Sequence, residues 1–98
     1  RGHPTRVGRM IAIVTVTGLD HTGIVAAVSA RLSELEINIV NISQTIMGDY
    51  FTMIAQCEFD ENVHPIETIQ AELRRVGEQQ RVVVRLQSEA IFHAMHEL

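Results

Sequence analysis

The chain alternates between two hydrophobic periods, and the changes of period lay out its elements. The run Met10 to Val16 is rich in Ile and Val and bounded by turn residues, which predicts a buried strand. From Ile24 to Glu36 the period becomes helical, with Val25, Val28, Leu32 and Leu35 spaced three, four and three apart. Ala26, Ala27 and Ala30 add small side chains that suit close packing. Residues 39–47 return to alternation, with Val40, Ile42 and Ile46 on one face and Asn41, Ser43 and Thr45 on the other, so one face is expected to be buried. A third strand sets Phe51, Met53, Ala55, Cys57 and Phe59 on one side and Tyr50, Thr52, Gln56 and Glu58 on the other, with Ile54 the exception. A second helical stripe, Ile66, Ile69, Leu73 and Val76, repeats the spacing of the first. Residues 81–87 form a last strand with Val82, Val84 and Leu86 inward. Ile91, Phe92, Met95 and Leu98 stripe a short terminal helix, for which Ser88 is the candidate cap.

Turn chemistry joins these pieces. Gly18 and Gly23 break the first strand from the first helix, and Asp20 and Thr22 are both candidate N-caps. Asn38 suits the left-handed position that closes the first helix. Gly48-Asp49 predicts a hairpin, Asp60-Glu61-Asn62 a polar break, Pro65 the first turn of the second helix and Gly77 its stop. The order strand, helix, strand, strand, helix, strand is one unit used twice. With right-handed crossovers it gives an α+β, ferredoxin-like βαββαβ sandwich, a four-stranded antiparallel sheet carrying two helices on one face. The other face stays open, and the terminal helix covers either its own sheet or a partner's.

Composition narrows the possible functions. The 98 residues allow one domain with one core, taken here as residues 10–98. Arg1 to Arg9 lack an apolar period and read as a disordered leader or an expression remnant, with Met10 the natural start. A formal charge of −4, no Trp and 4% aromatic residues argue against a nucleic-acid or anionic-membrane partner. Cys57 is the only cysteine and sits on the apolar face of its strand, so it reads as a core thiol in a reducing, cytoplasmic setting. No apolar stretch approaches the roughly 20 residues that span a bilayer.

The stretch Gly18-Leu19-Asp20-His21-Thr22-Gly23-Ile24-Val25 is the main candidate for chemistry. A glycine-bearing turn that opens a helix presents backbone N–H groups and the positive end of the helix dipole, a setting for a carboxylate or phosphate. The plainer reading is a tight turn and a cap. Together with Ile37-Asn38-Ile39, this stretch resembles the signature of the ACT domain, a small-molecule-sensing module. Asn41-Ile42-Ser43-Gln44-Thr45 and Ser88-Glu89-Ala90-Ile91-Phe92 resemble the small stand-alone, UPF0237-like ACT proteins of bacteria and archaea. The resemblance implies an amino acid or similar effector bound between domains by Asp20, His21, Thr22 and Gly23 of the turn and Asn38 of the second strand, with Asn41 and Gln44 as weaker additions. Many members carry Gly where this chain has Glu36, so the helix closure is expected to differ.

About a dozen helical residues at 1.5 Å each separate the turn from Asn38 by roughly 18 Å. One small ligand cannot bridge that distance in one subunit, so a shared ligand implies a two-fold homodimer, or a higher homo-oligomer, with the ligand in the interface. A protein partner would then receive the signal. The rival reading is a structural association domain without a ligand.

No enzyme, cofactor or metal is expected. Cys57 lacks an activating neighbour in sequence. His93 and His96, with Glu89 and Glu97 nearby, have ligand-like spacing, but a solvated helix end accounts for them. Glu72, Arg74, Arg75 and Glu78 read as a solvated face. As a cation, His21 would strengthen the binding of a carboxylate as pH falls.

Overall fold

The computed structural model describes residues 9–96, with side chains through residue 94. In chain order the elements are β1 (Arg9–Leu19), α1 (Ile24–Glu34), β2 (Asn38–Met47), β3 (Tyr50–Asp60), α2 (Ile66–Gln80), β4 (Val82–Ser88) and α3 (Glu89–His96). All strand pairs are antiparallel, in the order β2-β3-β1-β4. This is the expected ferredoxin-like sandwich.

Alternation decides which side chains reach the core. Val14 and Val16 of β1, Met53, Ala55, Cys57 and Phe59 of β3 and Val82, Val84 and Leu86 of β4 meet Val28 and Leu32 of α1 and Ile69, Leu73 and Val76 of α2 in one cluster. Cys57 is buried there as expected, and burial pushes its thiol up to about 11, which keeps it protonated and unreactive at neutral pH. The hairpin forms on Gly48-Asp49, with Gly48 at φ 62 and Met47 opposite Tyr50.

Several glycines and caps differ from expectation. The first strand runs beyond Val16 to Leu19 and takes in Arg9, whose guanidinium pairs with Glu58 at 3.1 Å. Gly18 lies inside that strand rather than in a turn. A Cβ on it would stand 2.8 Å from Val82 Cγ1, so it is there for want of a side chain. Neither Asp20 nor Thr22 caps α1; Gly23 does, at φ 98, without a side-chain hydrogen bond. Asn38 does not close α1. Glu36 takes the left-handed position at φ 61, its N–H donating to Ser33 O and that of Ile37 to Leu32 O, and Asn38 opens β2. Ile24, more than Val25, supplies the first buried position of that helix.

Gly77 does not stop α2, which continues to Gln80 and ends at Arg81, φ 60. Gly77 is buried where the helix crosses β4, and a Cβ there would lie 2.6 Å from Val82 O. The largest departure is β2. No residue in it is buried, because the strand forms the sheet's edge beyond the cover of the two helices. A bulge between Ile39 and Asn41 shifts Val40 out of register, leaving Ile42 and Ile46 on the helix side and exposed.

Ser88 caps α3 as expected, its Oγ accepting from Ile91 N–H at 3.3 Å. The helix lies on its own sheet, against β1 and β4 on the open face, and Gln56 Nε2 donates to Glu89 there. Ile13 is accordingly buried yet outside the main core. Of the expected leader, residues 1–9, Arg9 belongs to β1 instead and residues 1–8 lie outside the described residues, as the stripe positions Met95 and Leu98 lie outside the described side chains.

Candidate functional site

The β1–α1 turn is built by two hydrogen bonds and one backbone angle. Asp20 N–H donates to Asp49 O at 2.8 Å, which ties the end of β1 to the tip of the β2–β3 hairpin. Gly23 supplies the positive φ that starts α1, and Ala27 N–H closes the first helical bond to Gly23 O. The N–H groups ahead of that bond have no side-chain cap, so the helix start presents open donors and the positive end of its dipole. Asp20, His21, Thr22 and Gly23 are all exposed.

His21 bridges the turn to α2. Its Nδ1 faces Thr22 O at 3.0 Å, and its Nε2 faces Gln80 O, at the C-terminal end of that helix, at 2.6 Å. A neutral imidazole carries one N–H, so two carbonyl acceptors are satisfied together only by the imidazolium. The hydrogen bond to Gln80 O, then that to Thr22 O, raise the His21 pKa above 6.5. The Asp20 charge adds to this, while partial desolvation and Arg81 oppose it. Both nitrogens are thus committed to the chain's own carbonyls. When protonated, His21 contributes positive charge to the turn rather than a free hydrogen bond.

The β2 residues lie elsewhere. In the register, Leu19 is level with Tyr50 and Met47, whereas Ile11 is level with Glu58 and Asn38. Eight residues at about 3.3 Å each put Asn38 about 26 Å along the sheet from the turn. The bulge sets Asn38 and Asn41 on the open face despite their odd spacing, opposite Glu58 and Gln56. Gln44 pairs with Met53 and belongs to the helix face. One protomer therefore assembles the four turn residues and does not bring Asn38, Asn41 and Gln44 to them.

Gln80, Arg81 and the hairpin tip were missed from the sequence. Gln80 is 59 positions from His21, and backbone carbonyls leave no residue-type signal. Arg81 acts on His21 through its charge and takes part through the left-handed close of α2. A groove of about 450 Å³ between α2 and β4, lined by residues including Gln70, Arg74, Glu78 and Arg85, contains none of the expected site residues. Among the described residues no cluster of three or more His, Cys, Asp or Glu could hold a metal. Among the described residues no helix is long and apolar enough to cross a membrane.

Comparison with known proteins gives a consistent picture. Residues 10–87 match the ACT domain family model. A UPF0237 protein of Corynebacterium glutamicum is 55% identical over 91% of this chain and 100% of its own length. One from Listeria monocytogenes is 48% identical over the same shares. The solved structure of an ACT domain protein from Streptococcus pneumoniae superposes with a TM-score of 0.76 at 44% identity, covering 89% of this chain and 98% of that one. The chain belongs to the ACT domain family, whose members are regulatory, ligand-binding domains.

Proposed function

We propose that this protein is a regulatory sensor that binds an amino acid or a related small carboxylate at a homodimer interface. The observation that carries the reading is the separation of the turn from Asn38 on a sheet whose β2 edge strand has no buried residue. Two β2 edges related by a two-fold axis pair antiparallel, so the Asn38 end of one lies beside the Met47 end of the other. Met47 leads into the hairpin tip that holds Asp20, so the partner's Asn38 enters the corner formed by the turn. The ligand carboxylate would meet the uncapped N–H groups of α1 and the His21 charge, and its amino group Asp20, with the partner's Asn38 reaching it from the open face at the end of the neighbouring strand. The exposed Ile42 and Ile46 would be covered by the same pairing, and the exposed Ala26 and Ala30 let two copies of α1 approach closely.

The test is a melting-temperature screen of the common amino acids at millimolar concentration, followed by Asp20→Ala and Asn38→Ala. A ligand selective for the folded state raises the transition. The expected result is a shift for one chemical group of amino acids, lost in both variants while the fold is kept. No shift for any amino acid refutes the sensing role and leaves an association domain.

A further inference from the structure

We propose that the open face of the sheet seats a second copy of this chain, through a surface separate from the β2 edge and independent of any ligand. The register puts Leu19, Met47, Tyr50, Ile54 and Val83 on this face, and each is between 43% and 73% exposed. Together they form an apolar patch on the order of 500 Å², near the upper limit for a monomer. That is also about the apolar share of one side of a standard interface of about 800 Å² per partner. Thr15, Thr17, Thr45 and Thr52 fill the positions between them.

The hairpin half of the face is poor in charge. Arg9, Glu58 and Asp60 lie at the far end, Glu58 paired with Arg9, and from the level of Thr15 to the hairpin only Arg85 is charged among the strand residues turned to the face. Such a surface offers little to an acidic or basic partner, and what complements it is a flat, neutral, apolar surface like itself. Charge depletion at the centre of a patch is the compositional mark of an interface.

The position of α3 favours a copy over another partner. It covers the half of the face around Ile13 and leaves the hairpin half bare, with Ile91 exposed on its own outer side. A two-fold axis between two facing sheets, running across the strands, sets the bare half of each against the α3-covered half of the other. Ile91 of one copy then meets the Leu19–Tyr50–Met47 row of the other. Combined with pairing through β2, this gives an assembly of four chains.

Sedimentation equilibrium of the full chain tests this with variants of exposed residues. Ile54→Arg, Val83→Glu and Ile91→Glu are each expected to halve the wild-type mass with an unchanged far-ultraviolet circular dichroism spectrum. The β2-edge variant Ile42→Lys/Ile46→Lys is expected to halve it separately, and its combination with Ile54→Arg to leave single chains. Wild-type mass retained in both Ile54→Arg and Val83→Glu overturns the proposal. If Ile54→Arg does not fold, Val83→Glu decides. A β2-edge variant of unchanged mass beside a dissociated Val83→Glu removes the proposed ligand interface and leaves this one standing.

Discussion

The two edges of the sheet are treated differently by the rest of the chain. At β4, α2 lies close enough that Gly77 has no room for a Cβ beside Val82 O, and Gln70 Nε2 donates to Leu86 O at 2.8 Å. Two carbonyls of that strand, those of Val82 and Leu86, are thus covered or bonded, and the alternate residues Val82, Val84 and Leu86 are buried. At β2 nothing comparable occurs: Ile42 and Ile46 stand 40% and 60% exposed, and the only irregularity is the bulge at Val40. An edge strand with free backbone groups and apolar side chains is a template for another strand. A chain that blunts one edge and leaves the other bare directs its pairing to the bare one.

The largest expected effect comes from breaking the bare edge. Ile42→Lys/Ile46→Lys should abolish pairing through β2, read as halved mass, while the protomer's own stability changes by no more than about 0.5 kcal/mol because both positions are exposed. On the sealed edge, Gly77→Ala should destabilise by about 2 kcal/mol in urea unfolding. Overpacking against backbone costs about 3 kcal/mol, offset by about 1 kcal/mol of helix propensity. Gln70→Ala, which leaves Leu86 O without its donor, should cost about 1 kcal/mol in the same measurement.

Both edge strands are also entered through a residue with a Cβ in the left-handed region, Glu36 before β2 and Arg81 before β4. Glu36→Gly should stabilise the protein by about 1 kcal/mol, seen as a higher urea midpoint at constant slope.

The smallest effect is that of pH on the His21 bridge. His21 has a folded pKa above the ordinary 6.5, so its contribution is complete below that value and is lost as pH rises through the folded pKa. NMR titration should place the His21 midpoint above 6.5, and His21→Ala should flatten the dependence of stability on pH in that window.

The order of elements was legible because each rests on a period that burial enforces. The alternation of β3 and the stripe of α2 are legible residue by residue, and both are buried as read except for Ile66, which is partly buried. Glycine was the ambiguous letter. Gly23 and Gly48 are present for their backbone angles, whereas Gly18 and Gly77 are present because a neighbouring strand leaves no space, and only tertiary contact distinguishes the two uses. Alternation in β2 identified two faces but not whether anything covers them, since the same pattern serves a strand beneath a helix and a strand awaiting a partner. For the candidate site, the turn was visible as a local motif, while the His21 bridge to Gln80 depends on the packing of α2 beside the turn.

A shared site requires that the turn of one chain and Asn38 of another enclose the same ligand, and mixing two inactive variants tests this directly. With the amino acid that most raises the melting temperature as probe, Asp20→Ala and Asn38→Ala are titrated separately, then after being unfolded together and refolded as a mixture. Each alone should bind nothing. Random mixing makes about half the dimers hybrid, each with one site drawing an intact turn from one chain and an intact Asn38 from the other, so binding should return at about one quarter of the sites. A mixture as inert as its two components would contradict a site shared between chains.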